Sequence, residues 1–127
     1  MARIKWRGFE ITGHLDIDVD NKEDEFEGVI EKWQEVLIHG DPEGLRSFAK
    51  LLIKIADLNQ ENVIDLPVGA REHYHLRPNL ELGKSSVETI VGRLDAKGTG
   101  LFYNRFIAKD NKKDALKARF DYKIDRE

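Results

Sequence analysis

The sequence predicts an α+β domain: a mainly antiparallel sheet of six or seven strands, with one long helix at about 42–58 packed on one face. Three observations carry that expectation. HGDPEGLRSFAKLLIKIADL, residues 39–58, reads as a turn feeding one helix. Most of the remaining chain alternates apolar and polar residues, as half-buried strands do. Short clusters of Gly, Asn and Pro separate those stretches.

Taken in order, residues 3–7 alternate Ile4 and Trp6 with Arg3, Lys5 and Arg7, a strand that Gly8 ends. The clearest alternation follows, with Phe9, Ile11, Gly13, Leu15, Ile17 and Val19 on one face. Glu10, Thr12, His14, Asp16, Asp18 and Asp20 take the other. Asn21 to Asp24 reads as a turn. Residues 26–32 fit helix or strand, because Phe26, Val29, Ile30 and Trp33 match helical spacing. Residues 33–39 read as a strand delivering the chain into the helix.

The helix itself has a clear start. Asp41 supplies an N-capping carboxylate, Pro42 a first position that needs no amide, and Glu43 a charge suited to the helix dipole. Leu45, Phe48, Ala49, Leu52, Ile55 and Ala56 form the expected buried stripe, which Leu51, Ile53 and Leu58 widen, with Ser47 on the wet side. Asn59 to Asn62 is a polar loop. Strands follow at 71–77 and 87–94, around a turn at 83–86. Ala96 to Gly100 reads as a hairpin loop, returning through a strand at 101–108 that carries aromatics on both faces. Residues 110–117 fit one or two helical turns, and Phe120, Tyr122 and Ile124 alternate as a last strand.

A chain of 127 residues is a common size for a single domain spanning 1–127. It contains no cysteine, which excludes disulfides, thiolate metal sites and cysteine nucleophiles and fits a reducing cytoplasm. The opening MARIKWRGFE lacks the apolar run of a signal peptide, and no stretch reaches the ~20 apolar residues of a membrane span. A soluble cytoplasmic protein is expected. Net charge is only −3, but its distribution is uneven: Asp16 to Glu31 holds eight acids against Lys22 alone. Residues 105–119 are basic. Such polarity steers charged macromolecules, though a solvated face explains an acidic run equally well. The chain is not basic enough for a general nucleic-acid binder.

Two constellations invite metal chemistry. Asp16, Asp18, Asp20 and Glu27 match the carboxylate positions of a calcium loop. Glu23 stands where that loop wants an aliphatic residue, however, and strand alternation alone spaces the aspartates. His73 and His75 lie one residue apart, so a strand points both the same way, as two ligands of one ion require. The spacing to Gly69 and Glu81 departs from a cupin motif, and only His14, His39 or a distant carboxylate could supply a third ligand. A small metal-dependent enzyme or metal-binding module on these histidines is therefore the alternative, not the leading reading, and no cofactor is expected. Serines lie in no nucleophile elbow, and no phosphate-cradling loop is present.

Gly40, Glu43, Gly44 and Leu45, the apolar helix stripe, then His73, His75 and Leu76 form a combined pattern. It is a strand, a Gly-x-x-Glu-Gly-Leu helix start, and a His-x-His-Leu strand. It resembles small immunity proteins encoded beside bacterial polymorphic toxins of the secreted, contact-dependent kind. The resemblance implies a non-catalytic protein that binds and neutralises a cognate protein toxin, with no direct nucleic-acid or membrane partner. It also gives the acidic stretch a role: Asp16, Asp18, Asp20, Glu23, Asp24 and Glu27 become candidate partner-binding residues. A general ligand-binding or interaction domain, homodimeric through the aromatic strand 101–108, is a further alternative.

Overall fold

The computed structural model describes residues 11–110. The strand expected at 3–7, the start of the one at 9–20, and the elements expected after 110 lie outside the described residues. Within them the order is β1 (Leu15–Phe26), β2 (Val29–Gly40), α1 (Pro42–Asp57), a 3₁₀ turn (Gln60–Asn62), β3 (His73–Leu76) and β4 (Thr89–Gly92). The class is α+β, but the single sheet of six or seven strands is not what forms. Among the described residues there are two separate two-stranded antiparallel sheets, β1–β2 and β3–β4.

β1 and β2 pair over twelve positions each, from Leu15 opposite Gly40 to Phe26 opposite Val29. The turn expected at 21–24 is absent; those residues sit in β1, and the reversal is made by Glu27 and Gly28 alone. Both hold positive φ, 52° and 81°, the backbone of a two-residue hairpin turn whose twist matches its strands. The ambiguity over 26–32 resolves as turn and strand.

Helix α1 starts as its sequence demands. Asp41 Oδ1 accepts from the Gly44 amide at 2.7 Å and the His14 amide at 3.1 Å. The Asp41 amide donates to the His14 carbonyl at 3.1 Å. The first turn is thus tied directly to the residue preceding β1. A methyl at Gly44 would overlap the His14 carbonyl oxygen, so only glycine allows this approach. At the other end, Arg93 Nη1 donates to the carbonyls of Ile55 and Leu58, putting a cation on the negative end of the helix.

The helix is rotated from the expected stripe. Gly44, Ser47, Leu51 and Ile55 are buried, whereas Leu45 and Leu52 are 44% and 43% exposed. The reason is the close first turn: with Gly44 against His14, the buried line descends from Gly44. Ser47, one turn on, is accommodated because its hydroxyl accepts from the Thr12 amide and reaches the Thr12 and Gly44 carbonyls at 3.0 Å. The core gathers Leu51 and Ile55 from α1, Leu15 and Ile17 from β1, and Tyr74 and Leu76 from β3, with Ile11 and Leu82.

β3 and β4 are short for a local reason. Pro78, without an amide, follows β3, and residues 83–87 then leave the β3–β4 sheet to run along β1. Gly83 and Val87 donate amides to the carbonyls of Leu15 and Ile17 at 2.9 and 2.8 Å. The Ile17 amide returns to Ser86 Oγ at 3.0 Å. The expected strand at 101–108 makes no ladder. The 96–100 turn forms, with Gly98 and Gly100 at positive φ, but the segment after it is held by side chains. The guanidinium groups of Arg71 and Arg105 both lie over the Tyr103 ring, 4.0 and 4.5 Å from its centre. Phe102 and Phe106 meet edge to face.

Candidate functional site

The feature with most room for a partner is the β1–β2 ribbon. At ~3.4 Å per residue its strands run about 40 Å, and only the foot, around Leu15 and Ile17, enters the core. From Asn21 outward every β1 residue is exposed, and the outer half of β2 keeps only Trp33 partly covered. Polar pairs brace the arm: Gln34 Nε2 donates to Asn21 Oδ1 at 3.0 Å, Lys32 meets Glu23 at 3.6 Å, and Lys22 meets Asp20 at 2.9 Å. A two-stranded ribbon is marginal on its own in water, so the two cross-strand pairs, Gln34–Asn21 and Lys32–Glu23, matter.

The register sorts the expected partner-binding residues. Asp16, Asp18, Asp20 and Asp24 share one face, opposite His39, Leu37, Glu35 and Glu31 respectively. Glu23 lies on the other face, and Glu27 is in the turn. The structure therefore brings four of the six together. To them it adds Glu31 and Glu35, with Trp33, Leu37, Val29 and Phe26 on the same face. Phe26 and Val29 are 75% and 64% exposed. That Glu35, Trp33 and Leu37 share this face depends on the register, which depends on the turn at 27–28. Gly28 was the available signal.

Asp16 differs from the other carboxylates. Ser85 and Ser86 hydroxyls both donate to its Oδ1 at 2.7 Å. The Ser86 bond, then the Ser85 bond, hold its carboxyl below the usual range despite some desolvation, with His39 adding a smaller push in the same direction. Asp16, His14 and His39 line an open groove of about 520 Å³ with Glu81, Lys84 and Ser85. Glu81 is committed elsewhere: it accepts the Arg77 amide at 2.8 Å and pairs with Arg77 Nη2 at 3.1 Å. Burial pushes the Glu81 carboxyl up, but Arg77 outweighs it and the net direction is down.

His73 and His75 do share a face of β3, their rings 5.1 Å apart and edge to face. His73 Nδ1 lies 3.0 Å from the Arg71 carbonyl, and His75 Nδ1 lies 3.7 Å from Glu88. Among the described residues no three His, Asp or Glu side chains converge as a metal site would need. No described helix is long and apolar enough to cross a membrane.

A known protein family matches part of the chain. Residues 35–94 match Imm32, Immunity protein 32. The likeness to immunity proteins of toxin systems stands on that match. No curated protein and no solved structure matches the chain. The Imm32 stretch takes in the inner end of β2, all of α1, β3 and β4, a little under half of the sequence. It contains the helix start, the His-x-His strand and the core contributed by α1. The outer ribbon, from Asp16 to Gln34, lies outside it.

Proposed function

We propose that this chain is a non-catalytic immunity protein that acts in the cytoplasm, binding the toxin domain encoded beside it and holding that domain inactive one to one. The Imm32 match over residues 35–94 carries the reading. The ribbon supports it physically: neutralisation needs a surface presented to a partner, and the outer ribbon is largely exposed. Its mixed face suits tight binding, because half-covered Trp33 and Leu37 offer anchors while the carboxylates around them set orientation and rate. Asp18, Asp20 and Asp24 are the carboxylates assigned to the contact, with Glu23 and Glu27 at its margin. A toxin domain that itself handles nucleic acid presents the basic surface such carboxylates fit.

Co-expression tests the reading. The C-terminal domain of the secreted protein encoded next to this gene should arrest growth alone, and this chain should relieve the arrest and co-purify at equal stoichiometry. An adjacent operon of metabolic enzymes, or arrest that this chain does not relieve, overturns it.

A further inference from the structure

The groove at the foot of the ribbon holds a positioned carboxylate. Asp16 meets both serine hydroxyls through a single oxygen, Oδ1. Those bonds fix the carboxylate plane and leave Oδ2 without a hydrogen bond among the described residues, in a groove of about 520 Å³. Gly83 contributes no side chain there; a Cβ on it would come to 3.7 Å from Asp16 Oδ1. Of the other ionisable groups in the lining, Glu81 is paired with Arg77, His39 stands directly across the ladder, and His14 and the exposed Lys84 complete the set. A positioned carboxylate with one open oxygen is an acceptor waiting for a charge-assisted donor.

Resting on the immunity reading, we propose that this groove seats one basic side chain, arginine or lysine, of the toxin domain, with Asp16 Oδ2 as its acceptor. The sign of the guest follows from its surroundings. β1 continues outward from Asp16 through Asp18 and Asp20 on the same face. A protein surface lying over that row covers Asp16 and Asp18 as well as Asp20, which Lys22 already pairs at 2.9 Å, and covering the first two without cations is costly. The serines do for Asp16 what neighbouring side chains do at well-formed binding sites: they set the acceptor before the partner arrives, so less order is lost on binding. The ribbon gives broad attraction; the groove gives register.

The test uses the full chain and an inactivated form of the toxin domain encoded beside it, with binding followed by biosensor kinetics. Asp16→Asn keeps an oxygen for the serine hydroxyls but removes the charge and the open acceptor. It should weaken binding roughly 30-fold or more, chiefly through faster dissociation. Lys84→Glu, on the exposed rim, should tighten binding several-fold. Because Lys84 is in no described ion pair, this second variant stays informative if Asp16→Asn does not fold. A double-mutant cycle against each toxin lysine and arginine should find at least tenfold coupling to Asp16 at one position. Wild-type affinity in Asp16→Asn, or weaker binding by Lys84→Glu, overturns the groove assignment while leaving the immunity reading intact. Self-association of this chain that is lost in Asp16→Asn overturns it in favour of a second copy. No binding by the wild-type chain removes the immunity reading itself.

Discussion

At the scale of single residues, the decisive contacts are those that tie α1 to the residue preceding β1. Asp41 was legible as a cap because the carboxylate–proline–acid sequence has a local physical meaning. The role of Gly44 was not, since the oxygen that excludes its Cβ belongs to His14, thirty residues earlier. Gly44→Ala should therefore be far worse than its helix propensity suggests. A fall in Tm of at least roughly 8 °C is expected, where a glycine-to-alanine change at a tolerant helical site raises it. Glu81 carries a pH-dependent contribution. Its folded carboxyl is depressed by Arg77, so that stability is present above the ordinary carboxylate range and is lost as pH falls through the folded value. Glu81→Gln should cost about 1–3 kcal/mol at pH 7. Urea midpoints at pH 6 and pH 3 should differ less for the variant than for the wild type.

At the scale of elements, the helix was placed well and turned wrongly. Its ends came from capping chemistry, which is local; its rotation came from which side chain met the strand, which is not. Apolar residues surround α1 so widely that periodicity admits more than one stripe, and a buried serine was invisible without the Thr12 backbone that satisfies it. Two substitutions separate the stripes. Leu51, with no exposure, should lose about 2–5 kcal/mol on change to Ala, measured by denaturant unfolding. Leu52→Ala, at a side chain 43% exposed, should stay within about 1 kcal/mol. The ribbon shows the same division. Strand character from Leu15 to Val19 was plain, whereas Glu27 is not a usual turn residue at positive φ, so the reversal point was misplaced and the register with it.

At the scale of the molecule, the alternating segments are not all strands of one sheet. The strands expected at 71–77 and 87–94 shorten to His73–Leu76 and Thr89–Gly92, and residues 101–108 are held by arginine–aromatic contacts instead of a ladder. Alternation alone does not say which segments pair. What survives is a frame built largely from the Imm32-matched residues, with an acidic arm set apart from it. Electrostatics of the whole arm should govern the encounter. Reversing Asp18, Asp20 and Asp24 to Lys should slow association with the toxin domain at least roughly tenfold at low salt, and less as salt rises. Stopped-flow rates over a salt series check this, and unchanged rates exclude the acidic face as the contact.

The Glu27–Gly28 reversal has a practical side. Nothing lies within 4 Å of where a Cβ on Gly28 would project, so glycine serves the backbone angle there and fills no space. Extending that loop by a short flexible peptide adds little closure entropy and displaces no neighbour. A dye carried on such a graft would sit at the far end of the arm from the hydrophobic centre. Its emission would report docking at the tip in real time, with the frame untouched.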